Sequence, residues 1–164
     1  MPATLIALEK APAQIAALPD VFAMRLDGNC LEPKLMHGSV GIFARDEWPK
    51  RGDLACIWLK VRDPARNNAI GIAPWIKRIV MAPWEHKLPC RLTGDSNLEP
   101  LLSFEMDNPH REWTVSTTAV FGLHKFLGKP DDLGLIQTEP GVWRPRPTLE
   151  ERRGAPVRRK RVLA

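Results

Sequence analysis

The sequence has few cysteines, no long apolar run and little net charge outside its C-terminal end. Three cysteines, Cys30, Cys56 and Cys90, are an odd number without close paired spacing, which argues against a disulfide framework or a zinc site and favours a reducing compartment. No stretch reaches the roughly 18 consecutive apolar residues of a membrane-spanning helix, and residues 1–20 lack the basic start of a signal peptide. We therefore expect a cytoplasmic protein without a membrane partner.

The net charge of +5 is concentrated at the C-terminal end. Residues 141–164 contain eight Lys and Arg against two Glu, a charge of +6, so residues 1–140 carry −1. Bulk charge therefore gives no reason to expect that the body binds nucleic acid. The candidates for phosphate contacts are all in the tail: Arg152, Arg153, Arg158, Arg159, Lys160 and Arg161. The alternative is that the tail is a disordered, solubilising end.

Composition indicates one mostly β domain. Apolar residues make up 44% of the chain, enough for a core, and 16 prolines favour short strands over long helices. Short apolar runs between turn residues predict strands at 21–26, 40–44, 54–59, 70–81, 88–92 and 114–121. We expect a folded body at 21–128, an N-terminal arm at 1–20, and a flexible basic, proline-rich tail at 129–164.

One cluster of residues indicates a function. Residues 22–33 run from an apolar strand through Asp-Gly-Asn-Cys-Leu-Glu-Pro. This segment resembles the nucleophile segment of the LexA/UmuD family of self-cleaving serine–lysine peptidases, in which a strand leads into Gly-x-Ser-Met. Cys30 occupies the serine position and Leu31 the methionine position.

The resemblance continues in the family's order along the chain. Five further segments follow: a Gly-Ser turn before a strand at 36–42, a Gly-Asp turn at 49–55, an Ile-Lys-Arg-Ile segment at 75–79, a Leu-to-Pro turn at 92–100 and a final strand at 120–123. The resemblance covers about residues 22–128. It implies a LexA/UmuD-like domain of strongly twisted sheets, with residues 61–73 as an extended hairpin insertion.

The resemblance assigns Cys30 as the nucleophile and Lys77 as the general base. A buried lysine accepts a proton from a thiol once desolvation lowers its pKa from about 10.4 toward neutrality. Gly28 and Asn29 shape the turn, and the backbone amide of Cys30 contributes to the oxyanion hole. The alternatives are a solvent-facing Lys77 and a half-buried Cys30 in a domain that no longer cuts peptides.

The resemblance also implies a homodimer that cuts a peptide or protein substrate in cis or in trans, in phage, plasmid or stress-response (SOS) regulation. The chain's own N-terminal arm is one candidate substrate. However, residues 1–29 contain no Ala-Gly or Cys-Gly bond of the kind that the family cuts. Twenty residues are also too few for the family's helix-turn-helix domain. The alternative function is a degenerate peptidase-fold module for dimerisation, partner binding or nucleic-acid binding. We expect no cofactor or metal, a core position for Cys56, and four surface histidines.

Overall fold

A computed structural model describes residues 2–5, 12–29, 31–63, 69–83 and 100–148. These residues form a mostly β fold with one short helix, α1 (Pro12–Ala16), and two single-turn 3-10 helices at Thr117–Ala119 and Asp131–Leu133. The strands are β1 (Ala3–Leu5), β2 (Val21–Arg25), β3 (Val40–Ala44), β4 (Leu54–Asp63), β5 (Ala69–Met81), β6 (Leu101–Asp107), β7 (His110–Ser116), β8 (Val120–Gly128), β9 (Leu135–Glu139) and β10 (Val142–Pro145). The predicted fold class is confirmed.

All ten strands belong to one sheet in the order β7-β6-β5-β4-β8-β3-β2-β1-β10-β9. Neighbouring strands are antiparallel, except for the parallel pair β1 and β2. The longest ladder joins β4 to β5 and extends to the pair Asp63 and Ala69. The expected hairpin at 61–73 is therefore confirmed.

Strand β4 is buried on both faces of the sheet, which explains its continuous apolar sequence. Ala55 and Ile57 project to one face and pack with Ile79 and Phe104, while Cys56 and Trp58 project to the other. We call the cluster around Cys56 and Trp58 the first core and the cluster around Ala55 and Ile57 the second core. The first core also contains Phe22, Met24, Phe43, Leu26, Leu31 and Leu35.

Ile15 of helix α1 and Leu18, two residues after the helix ends, close the first core and are 1% and 3% exposed. The helix lies so close to β8 that a Cβ atom on Gly122 would come within 2.5 Å of Ile15 Cγ2. Glycine at position 122 is what allows this approach, because any larger side chain would displace the helix. Part of the expected N-terminal arm is thus packed into the fold.

The expected boundary at residue 129 is wrong. Strands β9 and β10 form a hairpin in residues 135–145, and β10 pairs with β1 through Ala3 and Trp143. Leu135 and Trp143 are 7% and 8% exposed and form a third buried cluster with Ala3, Ala23 and Ile42. Two large apolar side chains are enough to anchor a short hairpin that composition alone assigns to a tail.

Two other strand predictions need correction. The single strand expected at 114–121 is divided between β7 and β8 by the 3-10 helix, where the Ser116 hydroxyl accepts a hydrogen bond from the Thr118 N–H at 3.2 Å. Strand β6 was not expected, although its Leu-Leu-Ser-Phe sequence is buried. The strand expected at 88–92 lies outside the described residues.

Candidate functional site

The segment that resembles the nucleophile turn is a loop between β2 and β3. Backbone hydrogen bonds close its base, since the Leu26 N–H donates to the Ser39 carbonyl and the Gly38 N–H donates to the Leu26 carbonyl, each at 2.8 Å. Cys30 itself lies outside the described residues. Its assignment as the nucleophile stays a prediction.

The residues flanking Cys30 form a glycine turn followed by one helical turn. Gly28 has a φ of +89°, a conformation that favours glycine. The Glu32 N–H donates to the Asn29 carbonyl at 3.1 Å, and the Leu35 N–H donates to the Leu31 carbonyl at 3.0 Å. Leu31 and Leu35 are buried in the first core and hold the loop against the sheet.

His37 lies at the end of the same loop, with its ring against the glycine turn. The Gly28 N–H donates a hydrogen bond to His37 Nδ1 at 3.1 Å. The same nitrogen is 3.2 Å from Oδ1 of Asp27. The side chain of His37 is 66% exposed, as expected for a surface histidine. Its contact with Gly28 could not be read from the sequence, because it depends on how the loop folds back on itself.

Lys77 is buried near the middle of β5, with only 7% of its surface exposed. Its Nζ lies 5.5 Å from the centroid of the Trp75 ring and 6.0 Å from that of Trp113 on β7. The two indole rings are in edge contact at 5.9 Å. The alternative of a solvent-facing Lys77 is therefore wrong, and two indole rings lie beside the amine on its face of the sheet.

The described residues place Lys77 and the loop in contact with different faces of the β4–β5 ladder. Lys77 pairs with Ala55 and projects with it toward the second core. Leu31 belongs to the first core, with Cys56 and Ile76. The residue after Cys30 and the lysine thus lie on opposite faces of the ladder.

Arg78, next to Lys77, joins β5 to the loop by a charge network. Its Nη2 donates to Asp107 Oδ2 at 2.8 Å, and its Nε is 3.6 Å from Glu105 Oε1. Lys34 of the loop lies 3.8 Å from the same Asp107 oxygen. The hydrogen bond from Arg78 lowers the pKa of the Asp107 carboxyl below its usual value. Sequence reasoning missed this network because Arg78 and Asp107 are 29 residues apart in the chain.

The other thiols and histidines fall into distinct environments. Cys56 is fully buried, which raises the pKa of its thiol well above the usual value and confirms its core position. Cys90 and His86 lie outside the described residues.

His110 is exposed as expected, but His124 is 4% exposed, so its assignment to the surface is wrong. His124 pairs with Cys56 across β8 and β4 and therefore projects into the first core.

Within the described part of the chain, no group of three or more His, Cys, Asp or Glu side chains is arranged to hold a metal ion. No helix among those residues has the length and apolar character needed to cross a membrane. The basic residues 152–161, the candidate phosphate contacts, lie outside the described residues. Comparisons of the chain with protein-family models, curated proteins and solved structures found no match.

Proposed function

We propose that the chain is a LexA/UmuD-like peptidase domain that hydrolyses a peptide bond, with Cys30 as the nucleophile and Lys77 as the general base. The observation that carries this proposal is the burial of Lys77. Removing a lysine from water costs free energy, and proteins keep such residues where the amine performs a task. The mostly β fold, in which the resembling segments form β2, β3, β4, β5 and β8, supports the same proposal.

The chemistry requires the Lys77 amine to accept the thiol proton in its uncharged form. The Cys30 sulfur then attacks the peptide carbonyl, and the new C–S bond forms as the C–O double bond becomes an oxyanion. Collapse of this intermediate breaks the C–N bond, and the proton passes from Lys77 to the leaving amine. Water hydrolyses the thioester and restores the thiol. Gly28 and Asn29 shape the turn so that the backbone amide of Cys30 donates to the oxyanion.

The proposed setting follows the resemblance. The protein acts in the cytoplasm as a homodimer, in phage, plasmid or stress-response regulation, and cuts a peptide segment in cis or in trans. Cleavage of its own N-terminal arm in cis requires that arm to leave its present position. Helix α1 packs into the first core, and β1 lies between β2 and β10.

A second candidate is a degenerate module of the same fold that binds a partner without cutting it. One observation favours it, namely that Leu31 and Lys77 contact different cores on opposite faces of the β4–β5 ladder. If Cys30 stays on the side of Leu31, the amine cannot take its proton.

The reactivity of Cys30 decides between the two functions. We expect Lys77→Ala to slow alkylation of Cys30 at neutral pH by about tenfold, because it removes the group that accepts the thiol proton. Peptide mass mapping assigns the modified thiol, and intact mass at alkaline pH reports self-cleavage. Lys60→Ala is the matched control, since Lys60 is an exposed lysine on the adjacent strand β4. Equal Cys30 rates in the wild type and both variants would refute the peptidase and leave the binding module.

A further inference from the structure

A single nitrogen of His37 has two incompatible partners at the start of the loop that carries Cys30. The Gly28 N–H donates to Nδ1 at 3.1 Å, and Asp27 Oδ1 lies 3.2 Å from the same atom. A neutral imidazole with its proton on Nε2 accepts a hydrogen bond from the Gly28 N–H at Nδ1, and it has no proton at that atom to donate to Asp27. A protonated ring donates from Nδ1 to Asp27 and can no longer accept from Gly28.

We propose that His37 is a positioning residue for the turn that carries Cys30. In its neutral form it holds the Gly28 amide, and protonation transfers the ring to Asp27 and releases the turn. This inference rests on the proposed function, because the position of the turn affects a reaction only if Cys30 is the nucleophile.

The geometry explains how one ring affects the position of the nucleophile. The base of the loop is already fixed by the backbone bonds between Leu26 and residues 38–39. The bond to His37 extends this order inward and fixes the peptide plane that enters Gly28. From there the chain turns at a φ of +89° and reaches Cys30 two residues later. Rotation of the Gly28 peptide therefore redirects the residues that precede the thiol.

Among the described residues, two charged side chains lie near the ring, the carboxylate of Asp27 and the guanidinium of Arg25. Asp27 is the carboxylate at the ring nitrogen, with a side chain that is 76% exposed. Arg25 Nη1 donates to the Gly38 carbonyl at 3.3 Å, next to His37 in the chain. Of these two groups, the Asp27 carboxylate is the one that can accept a hydrogen bond from Nδ1 of a protonated ring.

The test follows the Gly28 amide by NMR and the Cys30 alkylation rate in parallel, on the full-length chain from about pH 5 to about pH 8. His37→Asn keeps an acceptor near the position of Nδ1 without a titrating group, and His37→Leu removes the acceptor. His110→Asn is the matched control, because His110 is a 71% exposed histidine near a carboxylate, Glu105, at 3.9 Å.

We expect the Gly28 amide signal to move with pH in the wild type and in His110→Asn, and to stay fixed in both His37 variants. At neutral pH, His37→Leu slows Cys30 alkylation about fivefold, the effect of one net hydrogen bond. His37→Asn keeps the wild-type alkylation rate at neutral pH. At acidic pH it removes the part of the rate loss that comes from release of the Gly28 amide.

Two results overturn the inference without touching the proposed function. One is a Gly28 amide signal that does not change with pH in the wild type, or that changes with pH to the same extent in the wild type and in His37→Leu. The other is a titrating Gly28 signal with an unchanged Cys30 rate in His37→Leu. Failure of the proposed function gives a different pattern, in which Gly28 titrates normally but Lys77→Ala leaves Cys30 reactivity unchanged. That pattern would refute both the peptidase function and the positioning role of His37.

Discussion

Replacing Trp143 with alanine tests whether the β9–β10 hairpin is an integral part of the fold. Trp143 lies on β10, pairs with Ala3 of β1 and is 8% exposed. It shares its cluster with Leu135 on β9 and with Ala23 and Ile42 on the central strands. Loss of the indole would therefore weaken the contact that joins both ends of the described chain to the sheet.

The expected loss follows from the area that the indole covers. A buried tryptophan side chain removes roughly 200 Å² from water, which at about 25 cal/mol per Å² corresponds to about 5 kcal/mol. This is an upper value, because an unfolded chain already hides part of that surface. We expect Trp143→Ala to lower the free energy of unfolding by about 3–4 kcal/mol, within the range for large-to-small core substitutions.

Urea unfolding followed by circular dichroism measures this loss. Trp48→Ala is the matched control, since Trp48 is 65% exposed and its replacement should cost less than about 1 kcal/mol. If Trp143→Ala does not fold, Trp143→Leu keeps part of the apolar contact and gives a smaller, measurable loss. Equal losses for the Trp143 and Trp48 variants would refute the reasoning and restore the boundary at residue 129.

Two further predictions concern pH and the C-terminal residues. Burial lowers the pKa of His124 in the folded state, so the unfolded chain binds a proton first as the pH falls below about 6.5. The free energy of unfolding should therefore be highest above that pH and fall on acidification, by up to about 1.4 kcal/mol per pH unit. Urea unfolding at several pH values should show that the unfolding free energy of His124→Asn depends less steeply on pH than that of the wild type or of His110→Asn. Ending the chain at residue 148 should leave the urea midpoint unchanged, because β9 and β10 are retained, whereas any nucleic-acid affinity measured by fluorescence anisotropy should fall and depend less on salt. A lower midpoint would show that residues 149–164 contribute to the fold.

The central strands could be predicted because their sequences agree with their burial. The apolar run that begins β4 is buried on both faces and follows a turn at Gly52, and β2 is followed by a turn at Gly28. Short apolar runs bounded by turn residues are typical of such strands. The neighbours of Lys77 on its own face of β5, Trp75 and Ile79, agree with its burial, but the sequence left a solvent-facing lysine as an alternative.

The edges of the sheet could not be predicted in the same way. The β9–β10 hairpin depends on Trp143 and Leu135, two anchors among prolines, glycines and charges. Its pairing with β1 joins residues about 140 positions apart, and a local sequence pattern cannot predict such a contact. The burial of His124 was missed for a similar reason. The position of β8 between β4 and β3, rather than its sequence, determines which of its side chains enter the first core.

The two neighbouring basic residues of β5 show why the candidate site depends on more than the identity of its residues. Because strand side chains alternate, Lys77 projects among the indoles of the second core, while Arg78 projects to the other face and binds Asp107. Lys34 reaches the same carboxylate from the loop, so the loop is linked to the strand that carries Lys77 through Arg78. The Lys34 side chain is 64% exposed, and an exposed pair of this kind contributes at most about 1 kcal/mol. The buried leucines of the loop, Leu31 and Leu35, must therefore provide most of its attachment to the sheet.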